Sequence, residues 1–360
     1  MENNEDIKIQ KLEELINENI ERNKKVSNII KIGGGSFGKI YSAKYDNQYV
    51  AIKVLKNEKT NDTQYRINES RIIKEINTLL NIHHPNIIHS YFRITFTYEN
   101  NDYYLIFMNK ACNKDLSSLI YYIQKKNIYK ITNITSNFKF LYFLSEKTIN
   151  FIINQIFKGV FCLHQHNIIH NDLKPSNILI NKNFVLNITD FSVIRGISKL
   201  NKTMLGFGTI SYASIENYQR EILSVDAYKV DYFSIGCILF ELITRKKLIQ
   251  SKVILNATNK IRAVTQEITK GIELLKHFNE LNKMNYSIKL INLCINLIQP
   301  EVNKRINFKE IMNCTNFLNE MDVKYICNIN ETESNIKLFI ELQKNSKNLS
   351  VSKKRTKYFV

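Results

Sequence analysis

Proline is almost missing from this chain: three residues in 360, at positions 85, 175 and 300. Glycine is scarce too, and four of the ten crowd into one stretch, "IKIGGGSFGKIY" at 30–41. In a chain so short of both, each marks backbone that needs a special conformation. The six cysteines lie far apart, at 112, 162, 237, 294, 314 and 327, with no CxxC pair. That spacing argues against a disulfide framework or a zinc site and for reduced, mostly buried thiols. No apolar run nears the eighteen or so residues that a membrane span requires. The acidic, polar opening "MENNEDIKIQ" is unlike a secretory signal. A cytoplasmic or nuclear protein without membrane association is expected.

Acidic residues are also in deficit, 33 against 51 basic ones, for a net charge of +18. The abundance of Asn, Ile and Lys points to a compositional bias as the source. The basic residues lack the aromatic interleaving of a nucleic-acid groove, so a nucleic-acid partner is not expected. Only "KKRTK" at 353–357 is dense, and it reads as a solvated end. With 44% hydrophobic and 23% charged residues, the chain has ordinary globular composition and length enough for two lobes.

The punctuation divides a strand-rich front from a helix-rich back. "NIIKIG", "KIYSAKY" and "QYVAIKVL" alternate as strands, with a turn at Asp46-Asn47 between the last two. Ile72, Ile76, Leu79 and Leu80 predict a helix over 68–82, ended by the Pro85 region. Two further strands, near 90–97 and 103–108, complete a small antiparallel sheet. Helices are predicted at 115–125, 146–164, 229–244, 286–298 and 308–318. An additional amphipathic helix over 7–24 carries Leu12, Leu15, Ile16 and Ile20 at helical spacing. The expected divisions are an N-terminal extension 1–25, a central two-lobed unit 26–320 and a C-terminal extension 321–360. The unit's two lobes are 26–110 and 111–320, with an Asn-, Thr- and Phe-rich insert at 126–145.

The chemistry-bearing residues follow in a fixed order. Gly33-x-Gly35-x-x-Gly38 lets backbone amides approach a polyphosphate, though a lone GxGxxG is weak evidence. A dinucleotide fingerprint would open a helix, whereas here a second strand and "VAIK" follow. Lys53 can reach phosphate oxygens beneath the glycines, and it needs a counter-ion in a partly dry cleft. Glu69 and Glu75 on the next helix are the candidates, and Glu75 is preferred. The stretch "IIHNDLKPSNILI" at 168–180 then pins a carboxylate, an ammonium and an amide between two apolar runs. Asp172 suits acceptance of a hydroxyl proton, Lys174 neutralisation of a moving phosphoryl group, and Asn177 ligation of a hard cation. Asp190, in "ITDFS", offers a second oxygen ligand.

In this order the motifs resemble those of the eukaryotic-type serine/threonine protein kinases, over roughly 26–320. Further matches are "GTISYASIE" at 208–216, "VDYFSIGCILFELIT" at 230–244 with its anchoring Asp231, and Arg305, expected to pair with Glu216. The resemblance implies an α+β bilobal fold, a small antiparallel β-sheet lobe with one main helix above a larger, mostly helical lobe. It implies transfer of the γ-phosphoryl group of ATP to Ser or Thr hydroxyls of protein substrates, with Mg²⁺. Asp172, Lys174, Lys53 and Glu75 would be the catalytic set, and Asn177 and Asp190 would hold the metal. Ile32, Gly33, Gly34, Gly35, Ser36, Phe37 and Gly38 would cover ATP. Ile40, Ala51 and Leu179 would sandwich the adenine, with a hinge at Met108, Asn109 and Ala111.

Departures from that pattern carry their own expectations. Asn171 replaces the arginine that binds activation-segment phosphate in many members, so activity independent of phosphorylation at Ser198, Thr203 or Thr209 is expected. Ser192 replaces a glycine, and serine resists positive φ, so rotation of this segment should be harder. Ser214 and Ile215 replace an alanine and a proline. The competing readings are the same fold kept as an inactive scaffold, and phosphorylation of a small molecule.

Overall fold

The computed structural model describes residues 8–314, apart from 22, 36–37, 60–61, 112–113, 131–142, 182, 198–201, 206–207 and 283. Its front half is a five-stranded antiparallel sheet in the order β1-β2-β3-β5-β4. The strands are β1 (Val26–Gly35), β2 (Gly38–Tyr45), β3 (Gln48–Glu58), β4 (Ser90–Tyr98) and β5 (Asn101–Asn109). Asp46 and Asn47 take φ of 48° and 68°, the paired positive values that a tight β2–β3 hairpin turn demands and that Asn and Asp tolerate.

Successive side chains on β3 point to opposite faces, and the two faces have different partners. Val50, Ile52 and Val54 pack with Leu12 and Ile16 of α1 (Ile9–Asn19). Ala51 and Leu55 pack with Ile76 and Leu79 of α2 (Asp62–Asn81). The sheet is thus covered on both sides, and Lys53 lies on the α2 face. α1 is shorter than its apolar period suggests. Asn19 bonds back to the Leu15 carbonyl at 2.8 Å, and Asn17 exchanges two hydrogen bonds with the Val26 backbone, turning the chain into β1. α2 begins six residues before the predicted start, because its first turns are polar and leave no hydrophobic period.

Helices dominate the back half. α3 spans Leu116–Lys130, absorbing the first residues of the predicted insert, and α4 spans Glu146–Gln165 behind a Ser145 cap that accepts from the Thr148 N–H. The middle of the insert lies outside the described residues, as do 315–360 with the basic tail. Between these helices and the next run short strand pairs: β6 (Ile168–Ile169), β7 (Ile178–Ile180), β8 (Leu186–Ile188), β9 (Arg195–Gly196), β10 (Lys202–Met204) and β11 (Glu221–Leu223). The short helix α5 (Ile215–Gln219) lies between β10 and β11.

α6 (Lys229–Thr244) is buried on every face from Val230 to Thr244, and α4 and α10 (Ile288–Leu297) flank it. Besides α5, three helices among the described residues were not expected from the sequence: α7 (Ser251–Asn256), α8 (Lys260–Lys276) and α9 (Phe278–Asn282). α11 (Phe308–Cys314) is described to its last residue. Of the cysteines, Cys237 and Cys294 are buried free thiols and Cys162 is half-buried. No helix among the described residues is long and apolar enough to cross a membrane.

Candidate active site

β1 and β2 remain paired up to Gly35 opposite Gly38, so the glycine stretch is the end of a hairpin rather than a turn into a helix. Ser36 and Phe37 lie outside the described residues. Gly38 takes φ of +152°, and a Cβ there would stand 2.7 Å from Leu55 Cδ2 and 2.8 Å from the Val54 carbonyl. Only glycine fits so close to β3. That approach brings the hairpin down beside Lys53.

Lys53 is 7% exposed. Its ammonium donates to Glu75 Oε1 at 2.5 Å and to Asp190 Oδ1 at 3.2 Å. β3, α2 and the loop after β8 therefore meet at one cation. Burial pulls the Lys53 pKa down, but the charges of Glu75 and Asp190 outweigh it and hold the value above the ordinary one. Burial likewise opposes ionisation of Asp190. The Lys53 charge and hydrogen bonds from Ser192 and Lys53 prevail, and its carboxyl sits below the usual range. Glu69, the alternative counter-ion, instead accepts from Tyr104 at 3.1 Å.

The loop carrying Asp172 is pegged from below. Asp231, fully buried near the start of α6, accepts the backbone N–H of His170 and of Asn171 at 2.9 Å each and meets His164 Nε2 at 2.8 Å. Asp172 Oδ2 receives the Lys174 ammonium at 2.7 Å, and Oδ1 receives the Thr209 N–H at 2.7 Å. Lys174 also donates to Thr209 Oγ1 at 2.8 Å. The Asn177 amide nitrogen donates to the Asp172 carbonyl at 2.9 Å and to its Oδ2 at 3.3 Å. The nitrogen end is therefore committed, and the Asn177 carbonyl oxygen is the end that could face a cation.

No cluster of three or more His, Cys, Asp or Glu able to hold a metal occurs among the described residues. Two oxygen ligands, the Asn177 amide and the Asp190 carboxylate, nonetheless fit Mg²⁺, which keeps several waters and shares its coordination with phosphates. Asp190 takes φ of 65° whereas Ser192 is absent from the positive-φ positions. Serine thus takes no left-handed backbone here, and its side chain hydrogen-bonds to Asp190. Phe191 is buried with its ring centroid 5.2 Å from that of His170.

Ala51 pairs with Met108 across β3 and β5, and both belong to one apolar cluster against which Ile40 and Leu179 are partly buried. Asn109 and Ala111 continue from Met108 as the connection to the back half. Ile32, on β1, is 52% exposed. Nothing in the sequence singles out Asn217, which bonds to Asn171 46 residues away and so leaves no local trace.

This arrangement defines a class. The protein kinase domain model matches residues 26–317, and the chain belongs to that family. Among its relatives is the mitogen-activated protein kinase p38a of Drosophila melanogaster, 27% identical over 223 residues, which are 60% of this chain and 54% of the relative. Another is a probable cell division protein kinase of Encephalitozoon cuniculi, 29% identical over 220 residues, 60% of each chain. The matches thus span somewhat over half the length of these relatives.

Proposed function

We propose that this protein is an ATP-dependent serine/threonine protein kinase. The observation that carries this reading is the meeting of Lys53 with both Glu75 and Asp190. Lys53, held by Glu75, orients the α- and β-phosphates of a nucleotide lying under residues 33–38. Ile40, Ala51 and Leu179 enclose its base, with Met108, Asn109 and Ala111 alongside. Asn177 and Asp190 hold Mg²⁺, which when bound neutralises charge on the phosphates. Asp172 positions the substrate hydroxyl in line and accepts its proton, and Lys174 stabilises charge on the moving phosphoryl group.

The Lys174–Thr209 bond supports Ser/Thr rather than Tyr as acceptor. A protein substrate is favoured over a small molecule by the segment 208–216 and by Arg305, which forms two bonds to Glu216 at 3.1 Å. Asn171 offers no cation to a segment phosphate, so unphosphorylated protein is active. The catalytic unit runs from 26 to 320, and the protein works inside the cell.

The test is to incubate phosphatase-treated protein with ATP, Mg²⁺ and generic protein substrates and to identify the acceptor residues by mass spectrometry. Phosphoserine or phosphothreonine is expected with wild type and not with Asp172→Asn. Nucleotide binding without transfer by the wild type would instead identify a scaffold.

A further inference from the structure

Two buried asparagines face each other where the loop of Asp172 meets the end of the segment that follows Asp190. Asn171 is 3% exposed and Asn217 is 1% exposed. Amides are costly at such depth unless hydrogen bonds replace water. Here Asn217 Nδ2 donates to Asn171 Oδ1 at 2.7 Å, while the buried Asn171 Nδ2 has no partner among the described residues. On its other side Asn217 Oδ1 accepts from the Ser214 N–H at 3.0 Å and the Ser214 hydroxyl at 2.9 Å. Two departures from the family pattern, Asn171 for arginine and Ser214 for alanine, therefore converge on one amide.

The bridge meets the loop one residue before Asp172. Asn171 takes φ of 65°, a left-handed conformation that asparagine tolerates better than most residues. Its N–H is fixed by Asp231, and the next residue is Asp172. Gly208 lies against the Asn171 carbonyl so closely that a Cβ would stand 2.5 Å from it. Thr209 then bonds Asp172 Oδ1. The segment is consequently held to the loop at two places, Gly208–Thr209 and Asn217, and neither uses a phosphate.

We propose that Asn217 is a positioning residue: through Asn171 it clamps the end of this segment to the loop of Asp172, where a cation–phosphate pair would otherwise serve. The clamp rests on the activity proposed above and explains how that activity dispenses with segment phosphorylation. A space-filling role for Asn217 makes a different prediction, because leucine matches its bulk without the amide.

The experiment measures kcat and KM of the phosphatase-treated full chain for wild type, Asn217→Leu, Asn217→Asp and Asn171→Gly. Aspartate keeps an acceptor for Ser214 and another for a turned Asn171 amide, whereas glycine keeps the positive φ and deletes the bridge. Asn217→Leu and Asn171→Gly should lose about tenfold or more in kcat with KM for ATP changed by less than about twofold, and Asn217→Asp should retain most of kcat. A folded Asn217→Leu with wild-type kcat, or equal losses in the Leu and Asp variants, overturns the clamp. If Asn217→Leu fails to fold, Asn171→Gly decides, and wild-type kcat there is the overturning result. Wild type silent after phosphatase treatment removes the activity reading and the clamp with it. Active wild type beside an equally active Asn217→Leu removes the clamp alone.

Discussion

Asp231 and Asp190 are carboxylates kept ionised in places that burial would make unfavourable. At Asp231 burial is the largest influence and raises the pKa, but the bond and charge of His164, the charge of His170 and the Asn171 N–H outweigh it. Both groups therefore lie below the ordinary carboxylate range. A group depressed in the folded state contributes stability that is complete above its unfolded pKa, about 3.9, and is lost as pH falls through the folded value. Urea midpoints should accordingly fall as pH drops below about 4, and Asp231→Asn should show the shallower dependence. Parallel curves for the two proteins would contradict the role given to this carboxylate. At this scale much was legible, because phosphoryl chemistry needs an ammonium, carboxylates and an amide of fixed kinds, and bonds join residues so chosen: Lys53 to Glu75 and Asp190, and Asn177 to Asp172. The hydrogen bond from Ser192 to Asp190 was not, because the residue type alone does not show where its hydroxyl points.

Among the elements, α1 has the clearest consequence. It closes the face of the sheet opposite α2, with Leu12 and Ile16 fully buried against Val26, Ile52 and their neighbours. Leu12→Ala should cost about 2–5 kcal/mol in urea denaturation and leave KM for ATP unchanged, since α1 and Lys53 lie on opposite faces of β3. A change in KM without loss of stability would show that α1 acts on the cleft itself. The strands and α2 could be read from alternation and from the helical period, and α6 from its continuous apolar run. α8 escaped because its buried face, Ala263, Val264, Ile268, Gly271 and Leu275, includes two small residues that dilute the apolar signal. A Cβ on Gly271 would stand 2.2 Å from Leu248 Cδ1, so the small residue there is what lets α8 pack so closely. α7 and α9, of six and five residues, are too short to show a period.

Over the whole molecule, two lobes of different composition are joined by a shared apolar cluster and by specific polar links. Ile87 and Ile188 form one bridge between them and Lys53 with Asp190 another. The order of motifs made the bilobal plan readable, because each motif fixes the element that must carry it: glycines on a hairpin, lysine on a strand, glutamate on a helix. Bonds between distant residues, such as Asn171 with Asn217, could not be read this way, since nothing in either neighbourhood names the partner. The net charge of +18 took no part in assigning the site, which is built from five charged or amide side chains of both lobes. That convergence is the central claim, and the γ-phosphoryl transfer rate of Lys53→Met at saturating ATP tests it most directly. The rate should fall by about 10²–10³ in a variant that still folds; transfer at the wild-type rate would contradict it.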